Sequence, residues 1–146
     1  MKRVLLRGLV AALLVALLGA APPAAAERLS DADVVAIRSV IWQQLDAFRR
    51  DNARAAFLLA SPQLRAEFKT PEAFMRDVRA SRAPLLRLST ASFRALWILD
   101  HDVVQQVALT DGNGVTWSAY YPMQRQKDGS WRTNGCRLVP TGLVRI

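Results

Sequence analysis

Between Val115 and Val139 the chain reads VTWSAYYPMQRQKDGSWRTNGCRLV, and the alternation within it leaves few folds open. Val115, Trp117, Ala119, Tyr121 and Met123 recur every second residue, so a strand here buries one of its faces. Asp128-Gly129 supplies a tight hairpin turn, because this pair tolerates positive φ. On the return, Trp131 and Thr133 hold one phase while Cys136 and Leu138 hold the other. Such a change across Asn134-Gly135 predicts a bulge, in which one extra residue re-aims the chain. Pro122 has no N–H to give to a ladder, so it marks an edge or a second irregularity.

Upstream the same period runs through Ala91, Phe93, Ala95, Trp97 and Leu99, turns at Asp100-His101-Asp102 and returns from Val103 to Thr110. Asp111-Gly112-Asn113-Gly114 then turns into the hairpin. Before Pro84 the period is helical. Ser30 caps a long helix, Asp33 takes its third position, and Leu29 is placed to staple onto Val34. Val34, Ile37, Ile41, Leu45 and Phe48 form its apolar stripe, with Trp42, Asp46 and Arg49 in a line beside it, and it ends near Asp51-Asn52. Asn52 caps a short second helix. Ser61-Pro62 restarts the chain as a brief turn to Phe68, and Thr70-Pro71 opens a third helix to Ala80. Arg76, Arg79 and Arg82 step by threes along it, the spacing of a solvated basic face or a docking stripe for an anion. Three helices followed by a four-strand antiparallel meander define an α+β fold, with the helices packed on one face of a curved sheet.

Residues 1–26 read as a signal peptide: Lys2, Arg3 and Arg7, an apolar run from Leu9 to Leu18, and small residues at Ala24-Ala25-Ala26. The expected product is exported, periplasmic or secreted, with no membrane span after cleavage. The single domain is 27–146. It holds 17 of the 20 basic residues and all 12 acidic ones, for a net charge of +5. Nucleic acid is not the expected partner of an exported chain; anionic lipid headgroups or acidic envelope polymers suit that charge. The one cysteine, Cys136, cannot form an internal disulfide and falls in an apolar strand, where free cysteine is usually buried.

The runs Ile37 to Ile41, Gln44 to Phe48, Ala60-Ser61-Pro62, Phe68 to Met75 and Tyr121 to Arg132, closed by Gly135-Cys136-Arg137-Leu138, resemble the small exported bacterial proteins of domain-of-unknown-function family 4864. The resemblance covers nearly all of the mature chain. It implies the nuclear-transport-factor-2-like (SnoaL-like, cystatin-like) cone, a curved sheet around a long first helix. It brings no activity and no catalytic residues.

The sequence contains no Gly-rich phosphate loop, nucleophile elbow or zinc-type spacing, and it implies no cofactor or metal. His101 sits in a turn between two aspartates, without a second histidine. Asp46 is the one carboxylate on the first helix away from its ends, a general-base candidate with Tyr121 opposite. Trp97, Trp117, Tyr121 and Trp131 alternate so as to line one concave face, with Gln105 and Arg125 as polar fixtures and Trp42 and Asp46 at the helix rim. Apolar walls with few polar groups describe a small-ligand pocket and equally an ordinary core. The leading expectation is a non-catalytic domain that binds a small ligand or an envelope protein. The alternatives are an isomerase or hydrolase using Asp46, and a module that forms a homodimer through its sheet face.

Overall fold

The computed structural model describes residues 28–143; the segment read as a signal, 1–26, lies outside them. Helix α1 (Asp31–Arg49) begins where Ser30 and Asp33 close a capping box: the Asp33 N–H donates to Ser30 Oγ at 3.1 Å and the Ser30 N–H to Asp33 Oδ2 at 3.0 Å. Two orphan donors of the first turn are satisfied this way. Ile37, Ile41, Leu45 and Phe48 are buried along the expected stripe, and Val34 is half-buried. The stripe also takes in Gln44, whose side chain donates to the Ala56 carbonyl at 3.0 Å. Asn52, Ser61 and Thr70 then cap α2 (Ala53–Leu58), α3 (Pro62–Phe68) and α4 (Pro71–Ser81) through side-chain oxygens. Thus α3 is a helix where the sequence implies only a turn, and there are four α-helices rather than three. A 3₁₀ turn over Ala83–Arg87 leads to the sheet.

The strands are β1 (Leu88–Leu99), β2 (Asp102–Asp111), β3 (Val115–Arg125), β4 (Trp131–Thr133) and β5 (Arg137–Leu143). They make a curved antiparallel sheet. Its order is β1-β2-β3, with β4 and β5 end to end along the free side of β3. The expected fourth strand is therefore broken into two. Met123 pairs with Thr133, but Tyr120 pairs with Arg137, so the return strand carries one extra residue. Gly135, at φ +108°, takes the turn that this requires. Trp131 and Thr133 before the break, and Leu138 after it, consequently share the inner face. Without the extra residue one set would point outward. Pro122 accounts for its own place here. Its carbonyl accepts from the Asn134 N–H at 2.7 Å, so its missing donor faces the irregularity and costs the ladder nothing.

A second bulge was not legible. Phe93 pairs with Val107 but Leu96 with Gln105, so Arg94-Ala95 adds a residue to β1 and reverses its phase. Buried Gln105 holds that bulge: its Nε2 donates to the carbonyls of Arg94 (3.1 Å), Ala95 (3.2 Å) and Gln106 (2.8 Å).

The helices cover one sheet face and are tied to it at both ends. Near the start of α1, Asp33 pairs with Arg125 at 2.6 Å and accepts from Trp131 Nε1 at 3.2 Å. Between α2 and α3, the Thr133 N–H donates to the Leu59 carbonyl at 2.9 Å and the Ser61 N–H to the Thr133 carbonyl at 2.8 Å. Buried Ser61 adds Oγ to Asn134 Oδ1 at 2.7 Å while accepting from the Leu64 N–H.

Ser61→Ala removes a helix cap and leaves Asn134 short of a partner, so it destabilises by about 1–3 kcal/mol. A lower urea midpoint at unchanged m-value checks this. The Ser30 amide and hydroxyl, then Trp131 and Arg125, hold the Asp33 carboxyl at about 2 against an ordinary 3.8. A lowered folded-state pKa stabilises above the ordinary value, and that contribution fades as pH falls from about 3.8 through 2. Acid melts of Asp33→Asn should lose this part of the pH dependence.

Candidate functional site

The structure sends the eight side chains singled out by sequence to different places. Gln105, Trp117, Tyr121 and Trp131 share the inner sheet face, as their alternation implies. The polar atoms of Gln105, Trp117 and Trp131 serve the fold. Trp131 is tied to Asp33, and Arg125 lies over its ring at 4.9 Å. Trp117 Nε1 donates to Asp111 Oδ2 at 3.0 Å, and this bond, followed by the Val115 and Asn113 amides, lowers the Asp111 pKa. Buried indoles find such partners in any packed interior.

Trp42 and Asp46 stand on the outer flank of α1, beside a dent of about 30 Å³ against Leu88 to Ala91. Asp46 meets Arg49 and Arg50, both at 3.0 Å. A general base needs room for substrate at hydrogen-bond distance, and this dent holds little more than a water. Trp97 lies on the other sheet face altogether. The Arg94-Ala95 bulge turns it outward to stack on Tyr120, with ring centroids 6.1 Å apart. This corrects the expectation of a single aromatic-lined face. The arginine stripe of α4 also divides: Arg79 pairs with Asp51, Arg82 turns inward, and Arg76 stays exposed.

Two larger recesses exist. One, of about 730 Å³, is an open groove beneath the start of α1, bordered by Leu29, His101, Met123 and Trp131. Of its two arginines, Arg28 and Arg125, the second is engaged by Asp33. His101 is exposed there in the β1–β2 turn, on a different recess from Cys136. The other, of about 240 Å³, lies among α1, α3, α4 and the break between β4 and β5. Phe48, Leu64, Phe68, Phe74 and Val78 give it apolar walls, and Thr133, Gly135 and Cys136 border it from the sheet. Phe74 is the hub, 5.4 Å from Phe68, 5.8 Å from Phe57 and 6.1 Å from Phe48 between centroids. Polar lining comes from Gln44, Glu67 and Thr133 and from Arg82 and Asp77, the last two 2.7 Å apart. Arg82 Nε donates to the Cys136 carbonyl at 2.6 Å, and Nη1 serves Asp77 and Ser81. Its Nη2 has no acceptor among the described residues. Sequence reasoning missed this recess because its walls come from separate helices. The one local signal was the phase break at Asn134-Gly135, since bulges often sit beside sites.

The family profile described as Domain of unknown function (DUF4864) matches residues 30–144. The chain belongs to this family. No curated protein and no solved structure matches it. The DUF4864 match takes in every element from α1 to β5, the recess included.

Behind the recess of this DUF4864 domain, Tyr121 is wholly buried, and its hydroxyl has no hydrogen-bond partner of good geometry. Burial raises its pKa well above the usual value, with the Cys136 thiol set against it. Burial likewise pushes the Cys136 thiol up to about 12. Some of the residue is exposed, but the sulfur is enclosed. At pH 8 roughly one thiol in ten thousand is then ionised, too few for a nucleophile. Cys136 should resist a disulfide-exchange reagent in the folded protein and react fully in guanidinium, read as thiol released per chain.

Proposed function

We propose that this protein is an exported, non-catalytic binding domain that holds a small amphipathic molecule in the recess between α1, α3, α4 and the β4–β5 break. One observation carries the reading: three phenylalanines wall a cavity of about 240 Å³ whose lining includes Arg82, its Nη2 without an acceptor among the described residues. Apolar walls with one or two directed polar groups are what small-ligand sites present, and sites for drug-sized molecules run from about 300 Å³ upward. The ligand is therefore smaller: an aromatic or short aliphatic body ending in a carboxylate that Arg82 receives. The long α1 lying against a curved antiparallel sheet supports the cone superfamily, and the basic start, apolar run and small residues before Glu27 support export. Among the described residues no helix is long and apolar enough to cross a membrane.

Thermal melts with benzoate, phenylacetate and hexanoate test this. A ligand at 100 times its Kd raises stability by about 2.7 kcal/mol. Phe68→Trp, which fills the recess, should abolish the shift without lowering the unliganded melting point, and Arg82→Gln should weaken it. If no small carboxylate raises the melting point, or Phe68→Trp leaves the shift intact, the recess is not the site.

A further inference from the structure

Among the described residues no helix covers the outer face of the sheet, and that face carries an aromatic pair set there by the β1 bulge. Trp97 is 37% exposed and stacks on Tyr120, 24° between planes. Unbroken alternation along β1 would have put this indole on the inner face with Phe93. The Arg94-Ala95 bulge turns it out, and a wholly buried glutamine amide, Gln105, is committed to holding that bulge. Local rules broken with a dedicated support mark features selected for use.

The pairing register sets three arginines around the aromatic pair. Arg137 lies opposite Tyr120, Arg132 opposite Gln124, and Arg94 is on the bulge itself. From β1 to β5 is three strand spacings, about 14 Å. The carboxylate the register puts on this face, Asp102, sits at the hairpin tip. Hydroxyls and amides, among them Ser92, Gln106, Ser118 and Thr116, share the face with the apolar side chains of Leu99, Val104, Ala108, Pro122 and Val139.

We propose that this face binds an acidic polysaccharide, with sugar rings lying on Trp97 and Tyr120 and carboxylates meeting Arg94, Arg132 and Arg137. The apolar side of a sugar ring fits a flat aromatic surface, and the neutral polar groups suit its hydroxyls. A base can stack on an aromatic face as a sugar can; the neutral hydroxyls and amides beside the rings favour the sugar. A twofold contact of this face with a second copy would bring arginines onto arginines, an unfavourable pairing. The surface is separate from the helix-side recess, and neither reading depends on the other.

Affinity electrophoresis of the purified protein through gels containing polygalacturonate, alginate or neutral dextran tests it, with titration of hexagalacturonate for affinity. The acidic gels should retard the protein at low salt and dextran should not. Trp97→Ala or Tyr120→Ala should weaken hexagalacturonate by about tenfold, the worth of one lost ring contact. Melting points should stay unchanged, and Arg94→Gln with Arg137→Gln should flatten the salt dependence. Absence of retardation by both acidic polymers overturns the proposal, as does binding that Trp97→Ala leaves intact. Tighter Trp97-dependent binding of oligo-dT overturns it in favour of nucleic acid, and a dimer lost in Tyr120→Ala overturns it in favour of self-association.

Discussion

The structure depends on a short main-chain seam, where Leu59 and Ser61 trade hydrogen bonds with Thr133. Ala60 and Thr133 form a single parallel bridge there, in an otherwise antiparallel protein. Helix-on-sheet packing through apolar side chains alone tolerates sliding, because hydrophobic contact is not directional. Main-chain bonds are directional, and they set the height at which α3 stands over the sheet. The break between β4 and β5 follows from the seam. Thr133 belongs to the β3 ladder and to the helical half at once, so the chain has to step aside at Asn134-Gly135 before it rejoins β3 at Arg137. The recess is the space that step leaves beside Cys136.

Short-range chemistry is what the sequence displays most openly. Ser30, Asn52, Ser61-Pro62 and Thr70-Pro71 could be read as helix starts because a cap needs only its own next three residues. The Asn134-Gly135 irregularity was readable for a related reason, as apolar phase and a glycine agree within six residues. The β1 bulge was not. Arg94-Ala95 contains neither glycine nor proline, and the apolar pattern passes through it without a visible break. Its cause is Gln105, some ten residues away on the next strand. Simple alternation therefore implies the inner face for Trp97, and the bulge turns it to the outer one. The recess was invisible for the same reason on a larger scale: Phe48, Phe68 and Phe74 each look like ordinary core residues of separate helices. Their convergence is a property of tertiary packing.

The tryptophans illustrate how residue type and role come apart. Trp117 and Trp131 have Nε1 bonded to Asp111 and Asp33 and belong to the framework. Trp42 is 51% exposed with Asp46 nearby, yet that carboxylate is occupied by two arginines. Trp97 is neither interior nor incidental, because a buried amide is spent on its placement. Partner and placement separate these cases; composition cannot.

The bond between Trp131 and Asp33 joins residues 98 positions apart. It ties the first turn of the opening helix to the final hairpin, while Arg38, over the Phe93 ring and bonded to Gln105, ties the helix further along to β1 and β2. Contacts between residues so far apart in sequence close slowly, because loop entropy is lost before they form.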